Sequence, residues 1–208
     1  MQPTIISLLG KPLAGKDTVA GALREQFSDI ATISMGDVIR EVKSTGSQHR
    51  FWQQLKESVA VGDSGGIAPD APVFDCLKIL AEEKLAEGHD AVVWVAGPRT
   101  LQQLGWLDDW TKEKGFREVF IHIDVPDAEV YKRLEGRNNG REDDKVPHVR
   151  LQNFRDITKP VIDHLRQEGR LLEINGVGNR EAVQNRTIEA LTMRKFDPEI
   201  TLPAMARR

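Results

Sequence analysis

Five short segments rich in Val, Ile and Leu recur along the chain. They lie at residues 4–9, 31–34, 91–96, 119–125 and 171–175. Several are almost continuously apolar rather than alternating, which is typical of strands that are covered on both faces, as in a parallel sheet. The pattern therefore predicts a parallel sheet of about five strands.

Helical spacing of apolar residues fills the gaps between these segments. One apolar stripe runs through residues 19–27, a second follows Asp70, which we expect to cap its helix, and a third spans residues 151–165. Pro160 falls inside the third stripe and should bend or break that helix. The Gly- and Pro-containing segment 62–72 predicts a loop. Strands that alternate with helices predict an α/β fold with helices on both faces of the sheet.

The composition narrows the class of protein. The chain has 208 residues, the size of one compact domain with room for a small inserted lobe. Its formal net charge of -3 does not suggest a nucleic-acid-binding protein. The single cysteine, Cys76, excludes a disulfide framework, and we expect it to be buried in a helix. Because the sequence shows neither a membrane-length apolar run nor a signal peptide, we expect a cytoplasmic protein with no membrane partner.

The segment from Gly10 to Thr18, GKPLAGKDT, joins the first predicted strand to the first predicted helix. Glycines let the backbone fold tightly around an anion, and the N–H groups of the loop and the helix N-terminus then point at it. Lys16 adds a positive charge for the outer phosphates. The segment predicts a phosphate-binding P-loop, and with the strand pattern it predicts a P-loop three-layer sandwich. The hydroxyl residue that generally follows the lysine is displaced by one position, because Asp17 precedes Thr18.

Two further segments carry possible phosphate ligands where strands end. Segment 34–40, SMGDVIR, follows the second strand; Arg40 can clamp a phosphate, and Asp37 can cap the helix or orient metal-bound water. A capped helix with a solvated arginine fits the same residues. Segment 97–103, GPRTLQQ, follows the third strand and places Arg99 at the carboxyl edge of the sheet, where ligands bind in open α/β folds. A structural role for Arg99 fits equally well.

An arginine series borders a Gly- and Asn-containing loop after the fourth strand. Its members are Arg133, Arg137, Arg141 and Arg150. Arg133 and Arg137 share one helix face, since they are four residues apart. Guanidinium groups beside a loop suit phosphoryl transfer, which depends on positioning and on neutralising the charge of the transferred group. Acidic residues interleave the series, so a salt-bridged surface also fits.

Taken in order, these motifs resemble the adenylate kinase family of nucleoside monophosphate kinases. The P-loop of that family has Gly-Lys, one residue and then Thr, as at positions 15–18. Segments 34–40 and 95–100 resemble its Ser-Thr-Gly-Asp-x-x-Arg and Asp-Gly-Phe-Pro-Arg-Thr motifs. Asp124-Val125-Pro126 with segment 133–137 resembles its Asp-Val-Pro … Arg-x-x-Gly-Arg motif. Its motif Arg-x-Asp-Asp … Arg-Leu … Thr-x-Pro-Leu-Ile is similar to the segments at 141–144, 150–151 and 158–162.

The resemblance implies an enzyme that transfers the γ-phosphoryl group of Mg-ATP to a nucleoside monophosphate, AMP by default, with ATP and Mg2+ as cofactors. The donor phosphates would contact Gly10, Ala14, Gly15, Lys16, Asp17 and Thr18. Arg133 would lie against the donor base. The acceptor would contact Met35, Arg40, Arg99 and Gln103. Catalysis would rest on Lys16, Arg99, Arg137, Arg141 and Arg150, while Asp17 and Asp37 would act indirectly on the metal.

The resemblance also implies how the chain is organised. Residues 1–194 would form one nucleoside monophosphate kinase-like domain, followed by a tail at 195–208. Its core would comprise residues 1–36 and 86–194, its acceptor lobe residues 37–85, and its short lid residues 137–145. We expect a monomer that acts on small-molecule nucleotides and binds no nucleic acid.

Three residues depart from the family's pattern. Val95 stands where the family has an acid near Mg2+, so Asp17 would compensate for it. Met35 replaces a Thr near the acceptor base, and Gly97 replaces a Phe, which is expected to open space beside the acceptor. These departures leave open a P-loop kinase of the same fold that acts on a deoxynucleotide or another phosphorylated acceptor. Val95 also leaves open a nucleotide-binding regulatory module with weak or absent catalysis.

Overall fold

The computed structural model describes residues 2–62, 66, 68–136 and 146–194. Its centre is a sheet of five strands: β1 (Thr4–Leu9), β2 (Ile30–Ser34), β3 (Ala91–Val95), β4 (Arg117–Asp124) and β5 (Leu171–Asn175). The strands are all parallel and lie in the order β2-β3-β1-β4-β5. All five predicted apolar segments are confirmed as strands.

Helices connect the strands along the chain. They are α1 (Lys16–Gln26), α2 (Met35–Thr45), α3 (Trp52–Gly62), α4 (Asp70–Ala86), α5 (Leu101–Lys114), α6 (Asp127–Glu135), α7 (Pro147–Asn153), α8 (Lys159–Gln167) and α9 (Arg180–Arg194). A 3-10 turn at Gly46–Gln48 follows α2, and a π-helical segment at Phe154–Thr158 joins α7 to α8. Pro160 lies in the first turn of α8, directly after the π-helical segment. The helical pitch therefore changes just before this proline, but the backbone stays helical and the predicted break is not seen.

The sheet lies between two layers of helices, each with its own hydrophobic cluster. In β1, Ile5 and Leu9 face a cluster that contains apolar residues of α3, α4, α5 and α8. Ile6 and Leu8 point to the opposite side, where α1 and α9 pack. Burial on both faces explains why the strands are continuously apolar. The three-layer α/β fold is therefore confirmed, and Cys76 is buried in α4 as expected.

The structure corrects three local predictions. The loop predicted at 62–72 is shorter, because α3 ends at Gly62 and α4 begins at Asp70. Asp70 does not cap α4: its carboxylate accepts hydrogen bonds from the start of α5 instead. The side chain that caps α2 belongs to Ser34, whose Oγ accepts from the Asp37 N–H at 3.3 Å. Asp37 is therefore not the cap residue.

The lobes that the resemblance implies are only partly described. Within 37–85, α2 packs on α3 and α3 packs on α4, which is the connectivity that a small acceptor lobe requires. The division of the chain into lobes remains a prediction. The predicted lid at 137–145 and the tail at 195–208 lie outside the described residues. None of the helices that the structure describes combines the length and apolar character needed to cross a membrane.

Candidate active site

A cavity of about 1310 Å³ opens where β1, β2 and β3 end. It is lined by the P-loop, the start of α2 and the segment that follows β3, and by Arg133 and Arg150 from the other half of the sheet. Ligands in open parallel sheets bind at this carboxyl edge, because the loops that leave neighbouring strands converge there. The strand order thus brings together segments that are far apart in the sequence.

The P-loop has the backbone geometry that its glycines permit. Gly10 has a φ of 145° and Gly15 a φ of 100°, conformations that L side chains rarely adopt. A Cβ at Gly10 would lie 2.6 Å from the carbonyl oxygen of Ile123, so the loop also packs too closely on β4 for any side chain. Gly15 precedes α1 directly, which leaves the first N–H groups of α1 pointing at the cavity.

Lys16 curls back over the P-loop. Its Nζ donates to the carbonyl oxygens of Gly10 at 2.8 Å and Lys11 at 2.7 Å. Burial is the main cause that lowers the pKa of Lys16 to about 7; the positive charges of Arg99 and Arg150 contribute to the shift, and Asp17 opposes it. Three cationic side chains thus act on one point of the cavity, an arrangement that an anionic ligand would stabilise.

Arg40 in α2 and Arg99 after β3 are held by neighbouring groups. Arg99 donates from Nε to the carbonyl oxygen of Ala96 at 3.2 Å, and its side chain lines the cavity. Arg40 also lines the cavity and forms an ion pair with the exposed Asp37 one turn earlier in α2. Both arginines therefore border the same cavity from neighbouring strand ends.

Arg133 connects the P-loop, α6 and the segment that follows β5. It donates to the carbonyl oxygens of Leu13 at 3.1 Å, Ala14 at 2.9 Å and Gly176 at 2.7 Å. Its Nε also pairs with Glu129 at 2.9 Å. The guanidinium group therefore holds the P-loop against the segment that follows β5, in addition to lining the cavity.

Sequence reasoning missed two groups at this edge. Lys11 donates to the Val125 carbonyl oxygen at 2.7 Å and pairs with Asp127 at 2.8 Å, which fastens the P-loop to the start of α6. A lysine inside a P-loop was the only signal for it. Asp70 was missed because its partners follow 30 and 33 positions later in the chain.

Asp70 belongs to a closed ring of hydrogen bonds with Thr100 and Gln103. Thr100 Oγ1 donates to Oδ2 of Asp70 at 2.7 Å, and Gln103 Nε2 donates to Oδ1 at 2.9 Å. The backbone N–H of Gln103 donates to Thr100 Oγ1 at 3.1 Å, which caps α5. At the other end of its amide, Gln103 Oε1 accepts from the Arg99 N–H at 2.8 Å.

A model of the family described as "Adenylate kinase" matches residues 8–170, which is well over half of the chain. The chain belongs to the adenylate kinase family. An adenylate kinase of Leptospira biflexa is 32% identical over 189 residues, which cover 88% of this chain and 97% of that protein. An adenylate kinase of Xanthomonas euvesicatoria is 34% identical over 191 residues, with the same coverage of 88% and 97%. As an adenylate kinase family member, the protein is a phosphotransferase, a kinase that binds nucleotides.

Two departures from the adenylate kinase pattern lie where β2 and β3 end. Met35 is 5% exposed and packs in the cluster that contains α4 and α5 while it lines the cavity. The space expected at Gly97 is not open, because the indole of Trp94 fills it. A Cβ at Gly97 would lie only 2.1 Å from Trp94 Cε2. The expectation that Gly97 opens room for a larger acceptor was therefore wrong.

The oxygen donors of this adenylate kinase family member suit a magnesium ion that substrate phosphates hold. The exposed carboxylate of Asp17 and the hydroxyl of Thr18 line the cavity, whereas Val95 is buried and apolar. Within the described part of the chain, no group of three or more His, Cys, Asp or Glu side chains is arranged to hold a metal ion. Because Mg2+ usually binds through one or two carboxylates together with phosphates and water, this donor set fits it.

The structure brings most of the predicted site residues to one cavity. The predicted P-loop contacts Gly10, Ala14, Gly15, Lys16, Asp17 and Thr18 line it, as do Met35, Arg40, Arg99, Gln103, Arg133 and Arg150, whereas Asp37 is not among the lining residues. Arg137 and Arg141 lie outside the described residues. The roles of all these residues remain predictions.

Proposed function

We propose that the protein transfers the γ-phosphoryl group of ATP to AMP. The observation that carries this proposal is that Lys16, Arg99 and Arg150 line one cavity and that both arginines act on the charge of Lys16. The P-loop and Arg133 line one half, and the start of α2 with the segment after β3 lines the other. The cavity has a volume of about 1310 Å³, whereas the pocket of one small ligand usually has about 300–1,000 Å³, so the cavity has room for two nucleotides.

In this proposal the donor's phosphates lie on the P-loop from Gly10 to Thr18. The N–H groups at the start of α1 and the ammonium of Lys16 stabilise their negative charge. Arg133 contacts the donor base and Arg137 its phosphates. An ammonium with a pKa near 7 becomes fully charged when phosphate oxygens surround it, so donor binding itself completes the positive site.

The acceptor's phosphate lies between Arg40 and Arg99, and its base lies near Met35 and Gln103. Arg99 reaches the acceptor phosphate while its charge also acts at Lys16, so it connects the two halves of the cavity. Arg141 and Arg150 close over the transferred group. Transfer is direct from one phosphate to the other, because positioning and charge neutralisation, not an enzyme-bound intermediate, supply the catalysis.

Magnesium would be held by Asp17 and Thr18 together with the nucleotide phosphates, with Asp37 acting through water. Bound there, the ion supplies counter-charge to the phosphates. We further propose that the protein acts as a monomer on small-molecule nucleotides in the cytoplasm.

The proposal is tested by measuring ADP release from Mg-ATP with a panel of acceptors. The panel contains ribonucleoside and deoxynucleoside monophosphates. We expect AMP to give the highest kcat/KM, and Lys16→Ala to lower it at least about a hundredfold. Lys112→Ala removes an exposed lysine of α5 and should leave the rate unchanged.

The other outcomes point to other functions. If a deoxynucleoside monophosphate gives the highest kcat/KM, the protein is still a kinase but its acceptor is that deoxynucleotide and not AMP. ATP binding without turnover of any acceptor would indicate a nucleotide-binding regulatory module.

A further inference from the structure

The side-chain amide of Gln103 is held in one orientation by hydrogen bonds at both of its ends. Its Nε2 donates to the Asp70 carboxylate at 2.9 Å, and its Oε1 accepts from the Arg99 backbone N–H at 2.8 Å. A carboxylate only accepts hydrogen bonds and a backbone N–H only donates them. A reversed amide would therefore place donor against donor and acceptor against acceptor, so the chemistry of the partners decides the orientation.

Asp70 is itself fixed in place. Its second oxygen accepts the Thr100 hydroxyl at 2.7 Å, and that hydroxyl accepts the N–H of Gln103 at 3.1 Å. The ring of three residues joins the first turn of α4 to the first turn of α5. Gln103 is only 2% exposed and lines the cavity. Its amide therefore borders the cavity in an orientation that is fixed before a ligand binds.

The fixed amide has consequences for the base that it contacts. After its two internal bonds, Gln103 retains one N–H and one lone pair for a ligand. A 6-amino purine offers an acceptor at N1 and a donor at the 6-position, whereas a 6-oxo purine offers a donor at N1 and an acceptor at the 6-position. At one placement of the ring, these two bases require opposite orientations of the amide.

The geometry points to Asp70 as a positioning residue that makes the site distinguish a 6-amino from a 6-oxo purine monophosphate. It acts through Gln103, whose orientation it fixes, and does not contact the nucleotide itself. This inference rests on the proposed function, in which Gln103 lies against the acceptor base. It adds a residue that neither the motifs nor the local sequence around Gly97 identified.

The test compares AMP with IMP, which differ at the 6-position and in the protonation of N1. In Asp70→Asn the new amide can donate as well as accept, so Gln103 loses one of its two constraints. We expect the ratio of kcat/KM for AMP to that for IMP to fall about fivefold, equivalent to about 1 kcal/mol or one neutral hydrogen bond. Asp75→Asn removes a carboxylate from the same helix, where Asp75 is exposed and pairs with Lys78, and should leave the ratio unchanged. An unchanged ratio in Asp70→Asn would overturn the inference.

A second measurement separates positioning from a general structural effect. In a Gln103→Ala background, Asp70→Asn should produce no further change in the AMP to IMP ratio, because the group it orients is gone. A further fivefold change there would show that Asp70 does not act through Gln103. If Asp70→Asn does not fold, Thr100→Val removes the hydroxyl that holds Asp70 and should lower the ratio, whereas Thr100→Ser keeps the hydroxyl and the ratio. Equal ratios in these two variants would also overturn the inference.

The wild-type rates separate this inference from the proposed function. A wild-type protein that does not phosphorylate AMP would contradict the proposed function and the inference together. If the wild-type protein phosphorylates AMP but Asp70→Asn leaves the AMP to IMP ratio of kcat/KM unchanged, the inference alone is contradicted.

Discussion

Gly97→Ala should destabilise the fold strongly because of one buried ring. The added Cβ would lie 2.1 Å from Cε2 and 2.2 Å from Cζ2 of Trp94. Carbon atoms in contact lie about 3.5–4.0 Å apart, so the indole would have to move by more than about 1 Å. Trp94 is 1% exposed and packs against Phe74, with ring centroids 6.2 Å apart, which leaves little room for that movement. We expect a loss of about 3 kcal/mol in the free energy of unfolding, the upper end for overpacked cores.

Urea unfolding followed by circular dichroism measures this loss, and the thermal midpoint should fall by about 6–12 °C. Gly105→Ala is the matched control: it adds the same methyl group to an exposed helical glycine with no atom within 4 Å, and should be neutral or slightly stabilising. In a Trp94→Leu background, Gly97→Ala should cost less than about 1 kcal/mol because the clashing ring is absent. If the costs of the two substitutions simply add to within about 0.5 kcal/mol, the steric argument is refuted.

Three further predictions concern the donor side. Burial lowers the pKa of Lys16 to about 7, and bound phosphates should raise it again, so ATP binding should take up about 0.9 proton at pH 8 and about 0.1 proton at pH 6. Calorimetry in buffers of different ionisation enthalpy measures this proton uptake. Equal uptake at both pH values would be inconsistent with protonation of Lys16 on binding. Asp17→Asn should raise the Mg2+ concentration for half-maximal activity about tenfold, so an unchanged Mg2+ titration would exclude Asp17 from the metal site. In Arg133→Lys the ammonium cannot donate to three carbonyl oxygens as the planar guanidinium group does, so the KM for ATP should rise about tenfold while the KM for AMP stays unchanged. An equal rise in both KM values would contradict a role of Arg133 that is confined to the donor.

The strands and the P-loop were predictable because their causes are local. Burial on both faces makes a strand continuously apolar, so β1 was predicted with the bounds that the structure shows. Gly10 and Gly15 occupy positions where the backbone itself requires glycine, which makes the loop visible in the sequence. The π-helical segment just before Pro160 is where the covalent structure of proline disturbs the regular hydrogen bonding of a helix.

The contacts between distant segments were not predictable from local pattern. Asp70 fits the sequence signature of an N-cap, and only the packing of α4 against α5 shows that its carboxylate is bound elsewhere. Gly97 suggested open space because its own side chain is missing, but the ring that fills the space comes from Trp94, three positions earlier in β3. From the sequence, Arg133 was predicted to contact the donor base. Its three hydrogen bonds to backbone carbonyl oxygens could not be predicted, because they depend on how the segment after β5 and the P-loop pack together.

If one cavity exchanges a phosphoryl group between two nucleotides, the exchange should also run from two ADP molecules. The most direct measurement supplies ADP and Mg2+ as the only reactants and follows the products by nucleotide chromatography. Two ADP molecules should become one ATP and one AMP, in equal amounts, and Lys16→Ala should abolish the conversion. Unchanged ADP, or its conversion to AMP and inorganic phosphate without ATP, would show that the cavity does not exchange a phosphoryl group between two nucleotides.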